Sequence, residues 1–133
     1  MIGVVVATHG RLAEEMLRTA ETVVGRIEQA RAVAVDPAVQ DMRAALKEAI
    51  KSVDTGDGVL LLTDLLGGSP TNLCLSFMEE RQIEVVTGVN LPMLLTFGQL
   101  RVAGKPIQKL AADLVEAGQR AIGHVSGLLR SLG

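Results

Sequence analysis

Four short runs of aliphatic, largely β-branched residues recur along the chain, at about Ile2–Thr8, Arg31–Val35, Gly58–Thr63 and Ile83–Thr87. Each is followed by a longer stretch in which apolar residues return every three or four positions. Consecutive apolar residues over four to seven positions suit a strand buried on both faces, and their alternation with helical stretches suits a parallel sheet covered by helices. The predicted fold class is α/β, a doubly wound, mostly parallel sheet, for which the common strand order is 2-1-3-4.

The helical stretches have their own punctuation. In RLAEEMLRTAETVVG, Leu12, Met16, Ala20, Val23 and Val24 mark one face and Gly25 supplies a stop. A second helix is predicted over Pro37–Val53, with Asp36 as N-cap and Val39, Met42, Ala45, Leu46, Ala49 and Ile50 inward. A third begins at SPTN and runs to about Glu80; a fourth begins near NLPM and runs to about Arg101. PIQKLAADLVEAG reads as a helix that breaks near Gly118, because a glycine inside a helix costs about 1 kcal/mol. Beyond it, QRAIGHVSGLL reads equally as a short edge strand or a short helix.

Composition narrows the class of protein. A chain of 133 residues without an internal repeat or linker fits a single domain, residues 1–133. Aromatic residues make up 2% and Trp and Tyr are absent, so the core must be aliphatic. Thirteen basic and fifteen acidic residues lack the cationic excess that a nucleic-acid backbone demands, which argues against a nucleic-acid partner. One cysteine, Cys74, makes no intrachain disulfide or zinc site, and the N-terminus has neither a basic region nor a cleavage signal, so a reducing, cytoplasmic setting is expected. No apolar run approaches the roughly 20 residues of a membrane span, so direct membrane insertion is not expected.

The candidate chemistry collects where the strands end. In a doubly wound sheet, ligands bind beyond the carboxyl edge, at the point where strand order reverses. The first strand ends in Thr8-His9-Gly10, the third in Thr63-Asp64 followed by LLGGSPTN, and the fourth in Gly88-Val89-Asn90. If strands one and three are neighbours at about 4.8 Å, His9 and Asp64 come within hydrogen-bonding reach. A carboxylate holding Nδ1–H fixes the imidazole tautomer and presents Nε2 as a nucleophile, so His9 would attack and Asp64 would orient it. Singly, His9 reads as a polar cap to the first helix and Asp64 as a turn residue; together at adjacent strand ends they read as a site.

LGGSPTN adds a third component. Gly67 and Gly68 let the backbone approach an anion, Ser69 would cap the helix with Pro70 at its first position, and the amides of Thr71 and Asn72 would point at the ligand. Taken alone, the segment reads as an ordinary well-capped helix. Arg11 reads as a solvated helix residue, Cys74 as a small core residue and His124 as structural or solvated. GGSPT lacks the second glycine of a nucleophile elbow, and neither a P-loop nor a G-x-G-x-x-G fingerprint occurs. A receiver domain would need an acidic pair after the first strand, where this chain has Thr8-His9.

The runs VVVATHGRLAEEMLRTAETVVG, VLLLTDLLGGSPTN and EVVTGVNLPMLL, in this order and at this spacing, resemble the IIA domain of the mannose-family sugar phosphotransferase system over nearly the whole chain. The resemblance implies a phosphocarrier without a cofactor or metal. His9 would accept a phosphoryl group from the phosphohistidine of the carrier protein HPr and pass it to a IIB partner for sugar uptake. Asp64 would hydrogen-bond this histidine and Gly67–Pro70 would lie over it. An apolar rim of Leu12, Leu65, Leu66, Leu91 and Met93 would dock the partner. The family fold implies a homodimer exchanging a fifth, antiparallel edge strand, which would employ the tail after Gly118. Leu66 stands where family members often carry an aromatic, and a chain ending at Gly133 would act as a separate subunit. A stand-alone regulatory module, whose His9 phosphorylation signals carbon or energy status, is the alternative. The sugar is not legible in the sequence.

Overall fold

The computed structural model describes residues 1–38, 41–79 and 82–133. Its strands are β1 (Gly3–His9), β2 (Ala30–Val35), β3 (Val59–Thr63) and β4 (Ile83–Val86). Its helices are α1 (Leu12–Val24), α2 (Met42–Val53), α3 (Ser69–Leu75), α4 (Leu91–Leu100), α5 (Ile107–Arg120) and α6 (Val125–Leu132). The strands form one sheet in the order β2-β1-β3-β4, and every pairing is parallel. The α/β class and the order 2-1-3-4 are thus those expected from the pattern.

The central strands explain the continuous apolar runs. Side chains alternate across a strand, so Val4 and Val6 of β1 and Leu60 and Leu62 of β3 enter the core shared with α1, α4 and α5. Val5, Ala7, Val59 and Leu61 enter the opposite core, with Leu46, Ala49 and Ile50 of α2 and Cys74 and Phe77 around α3. Burying each such Val, Leu or Phe contributes about 1.5–3 kcal/mol relative to exposure. Cys74 is fully buried, and desolvation pushes its thiol up to about 12, so it packs as a neutral apolar group.

Several helix details differ from the sequence expectations. In α1 the buried residues are Ala13, Leu17 and Ala20, whereas Leu12, Val23 and Val24 are exposed. The small Ala13 and Ala20 bring the helix close to the sheet, which turns the larger flanking residues outward. Gly25 ends the helix as expected, its N–H donating to the Glu21 carbonyl at 3.0 Å. The second helix starts at Met42 rather than Pro37: the Asp36 carboxylate accepts the Ala38 N–H at 2.9 Å in a local turn, and Asp41, at φ +66°, precedes the first helical residue. Leu46, Ala49 and Ile50 are buried, Met42 is half-buried and Ala45 is exposed; Val39 lies outside the described residues. α3 ends at Leu75, short of Glu80, which also lies outside the described residues. There the Ser76 hydroxyl donates to the Leu73 carbonyl at 2.6 Å, and Phe77 and Met78 bond three residues back in tight turns.

In the C-terminal third the expected break at Gly118 is absent, and of the two alternatives for the tail the helix is the one formed. α5 runs through Gly118 without a break. A Cβ at Gly118 would stand 2.5 Å from the Met93 Cε, and Asn90 Nδ2 donates to the Gly118 carbonyl at 3.0 Å. The glycine's helical cost is offset by this close approach of α5 to α4. After Arg120 the chain forms α6, not an edge strand. Ile122, Val125, Leu128, Leu129 and Leu132 are all exposed, so nothing among the described residues covers that apolar face. No helix among the described residues is long and apolar enough to cross a membrane.

Candidate functional site

β1 carries His9 to the carboxyl edge as its last residue. The chain then reverses through Gly10, whose φ of +55° is a left-handed conformation that glycine adopts without steric cost. The neighbouring threonine does the capping: Thr8 is fully buried, and its Oγ1 accepts the Ala13 N–H at 2.7 Å at the start of α1. His9 is thereby left free of a capping role and half exposed, with 45% of its side chain accessible.

Asp64 follows β3, whose last residue, Thr63, is in register with Ala7 of β1. Its Oδ2 accepts both the His9 ring Nδ1–H at 2.9 Å and the His9 backbone N–H at 3.0 Å. Its Oδ1 accepts the Leu65 N–H at 3.0 Å. An ionised carboxylate only accepts, so the ring nitrogen facing it carries the proton, and in the neutral imidazole the lone pair is then on Nε2. Burial would raise the Asp64 pKa, but hydrogen bonds from the His9 ring and backbone and from its own turn outweigh it and hold the carboxyl below the usual range.

Gly68 lies against the other side of the ring. A Cβ there would come within 2.9 Å of the His9 Cε1 and 3.6 Å of Nε2. The glycine is required by the approach of the imidazole. Gly68 is also the N-cap of α3, so Ser69 is the first helical residue and Pro70 the second, one position later than expected. Ser69 and Asn72 are exposed and border a groove of about 530 Å³ with Val35, Pro37, Met42 and Arg43. The Asn72 N–H is committed to the Gly68 carbonyl at 3.0 Å, and its side chain donates to the Gly67 carbonyl at 3.4 Å.

Two of the expected site residues have buried side chains. Thr71, whose backbone N–H is the expected contact, is 2% exposed, and its hydroxyl is directed to Leu65 and to other threonines. Met93 is buried at 4% exposure among core side chains. Leu12, Leu65 and Leu66 are exposed near His9, at 47%, 59% and 82%, and Leu91 is half-buried. Arg11 pairs with Glu14 and Glu15 on its own helix. His124 is exposed and precedes α6, with its ring against Gly127.

The sequence places Thr8, Thr63 and Thr87 at or beside strand ends but does not reveal what their hydroxyls do. Thr8, Thr63 and Thr87 each follow an aliphatic run, and that repeated placement was the available signal. A cavity of about 560 Å³ lined by Met1, Asp57, Arg101 and Lys105 lies at the opposite, amino edge of the sheet, away from this chemistry. No group of three or more metal-ligating side chains occurs among the described residues.

The chain has counterparts among known proteins. A family model described as the phosphotransferase system fructose IIA component matches residues 3–123. The chain is 32% identical over 124 residues to the phosphotransferase system mannose-specific EIIAB component of Escherichia coli, covering 91% of this chain but 38% of that protein. It therefore spans under half the length of that relative. It is 30% identical over 106 residues to the fructose-specific EIIA component of Bacillus subtilis, covering 76% of this chain and 71% of that one. Among solved structures, the mannose/sorbose-specific IIA subunit from Enterococcus faecalis superposes with a TM-score of 0.78 at 30% identity, over 91% and 92% of the two chains. The IIA protein associated with the fucose utilization operon of Streptococcus pneumoniae gives 0.82 at 29% identity, over 96% of each. From its strand order, its site at the ends of β1 and β3 and these matches, the chain belongs to the mannose-family IIA components of the sugar phosphotransferase system.

Proposed function

We propose that this chain is a phosphocarrier that accepts a phosphoryl group from phospho-HPr on Nε2 of His9 and passes it to a IIB partner for sugar uptake. The observation that carries the reading is the Asp64–His9 contact, which in the neutral imidazole puts the proton on Nδ1 and the lone pair on Nε2, on a side chain half open to solvent. The Nε2 lone pair attacks phosphorus as the P–N bond to the donor imidazole breaks, and that bonding pair returns to the donor ring. His9 becomes a cation, which the adjacent Asp64 carboxylate stabilises. Because the group moves between two nitrogens of similar character, catalysis consists of alignment and charge stabilisation.

The surroundings support such a transfer. Gly68 keeps a side chain off the His9 ring, and the Ser69 N–H, at the first position of α3, has no intrahelical acceptor. With the Ser69 hydroxyl and the Asn72 side chain it would face the phosphoryl oxygens. Leu12, Leu65 and Leu66, with the half-buried Leu91, would meet the apolar surface of HPr or IIB and exclude water. The uncovered face of α6 supports a homodimer as part of the same reading. The expected setting is the cytoplasm.

Incubating the chain with phosphoenolpyruvate, enzyme I and HPr tests this. Mass spectrometry should find one acid-labile phosphoryl group on His9, absent from His9→Ala. Labelling that persists in His9→Ala would overturn the assignment.

A further inference from the structure

The loop that carries Asp64 is poorly fixed by burial. Leu65 and Leu66 are 59% and 82% exposed and Gly67 is exposed as well. Its shape must come from polar contacts, and those converge on one residue. The Leu65 N–H is bound by Asp64 Oδ1 at 3.0 Å, while the Leu65 carbonyl accepts the Thr71 hydroxyl at 2.5 Å. Both ends of residue 65 are thus held, the N–H by the carboxylate and the carbonyl by Thr71, with the Gly68 N–H a longer second donor to that carbonyl at 3.4 Å.

Thr71 is itself anchored. A hydroxyl has one proton and two lone pairs. With its proton on the Leu65 carbonyl, Thr71 Oγ1 accepts from the Thr63 hydroxyl at 2.6 Å, at the end of β3. Thr87, just beyond β4, stands 3.4 Å away on another side. The Thr63 carbonyl accepts the Val89 N–H at 2.9 Å and ties the two strand ends together. Thr63 is fully buried and Thr71 nearly so, and a buried hydroxyl is costly unless its hydrogen bonds are made. Valine would fill the same space without that demand. The hydroxyl is therefore the feature to explain.

We propose that Thr71 is a positioning residue for His9: its hydroxyl fixes the Leu65 peptide, so that the Asp64 carboxylate stays on Nδ1 and Nε2 stays unprotonated. Thr71 touches neither the imidazole nor the phosphoryl group. The kinetic consequence rests on His9 being the acceptor; the consequence for the imidazole tautomer does not.

The test is nitrogen-15 NMR of the imidazoles in the full unphosphorylated chain, beside phosphoryl transfer from phospho-HPr. Wild type is expected to hold the Nδ1–H tautomer at His9. Thr71→Val should raise the share of the Nε2–H tautomer and slow transfer by about tenfold to a hundredfold at saturating donor, with unchanged half-saturation. Thr71→Ser, which keeps the hydroxyl, should restore both. Should valine not be accommodated, Thr71→Ala gives the same comparison with a smaller side chain. A folded valine or alanine variant with wild-type tautomer and rate overturns the proposal, as does a serine variant as impaired as valine. If the wild type takes no phosphoryl group, the phosphocarrier reading falls while the tautomer comparison still decides the role of Thr71.

Discussion

A single oxygen of Asp64 accepts two hydrogen bonds from His9, from the ring Nδ1–H at 2.9 Å and from the backbone N–H at 3.0 Å. The backbone bond fixes where the carboxylate sits, and the ring bond fixes which imidazole nitrogen carries the proton. These two jobs separate on substitution. Asp64→Asn retains a carbonyl oxygen for the backbone N–H, but its amide can also donate to Nδ1 and so favour the tautomer with Nε2 blocked. Phosphoryl transfer should fall by about a hundredfold or more, while stability changes by less than about 1.5 kcal/mol. Rapid-quench transfer kinetics and denaturant unfolding read the two effects.

The same contact makes a pH prediction. The Asp64 pKa is lower in the folded chain than in the unfolded one, so the unfolded state binds its proton first as pH falls. The stabilisation is complete above the unfolded value of about 3.9 and is lost as pH drops through the lower folded value. The stability difference between wild type and Asp64→Asn should therefore shrink on acidification below about pH 4. Urea titrations across that range would show it; a gap that widens as pH falls would contradict the sign.

Gly68→Ala tests the close approach to the imidazole. The backbone there, at φ −77°, tolerates alanine, but the new methyl would stand 2.9 Å from the His9 Cε1. His9 is a half-exposed side chain and can swing away, so the thermal midpoint should hardly move. The displaced ring loses its alignment with Asp64, and transfer should slow by about tenfold or more. Wild-type transfer in the alanine variant would mean that the loop, rather than the ring, adjusts.

Gly118→Ala separates two opposing effects. Intrinsic helix propensity favours alanine by about 1 kcal/mol. Against it, the Cβ would lie 2.5 Å from the Met93 Cε and 3.2 Å from Asn90 Oδ1. Overpacking in a well-filled core costs about 1–3 kcal/mol, so the variant should be destabilised on balance. Denaturant unfolding gives the sign directly.

Local pattern carried most of the architecture. The runs VVVA and VLLL mark strands because a residue buried on both sides of a sheet must be apolar whatever its neighbours are, and Gly25 marks a helix end because that backbone geometry favours glycine. The pairing of His9 with Asp64 was legible for the same reason: strand ends are local, and the usual strand order sets them side by side. Other features were not local. Gly118 sits inside a helix because Met93 and Asn90 press against it, and Met93 faces inward because α5 covers it. Thr71 turns its hydroxyl away from the site because Thr63 and Leu65 offer partners in the interior. Sequence determined the four strands, the helices up to α5 if not their bounds, and which side chains end at the carboxyl edge. Only the packing of helices on the sheet decided which of those side chains face His9, because facing depends on contacts between residues that the chain order does not make neighbours.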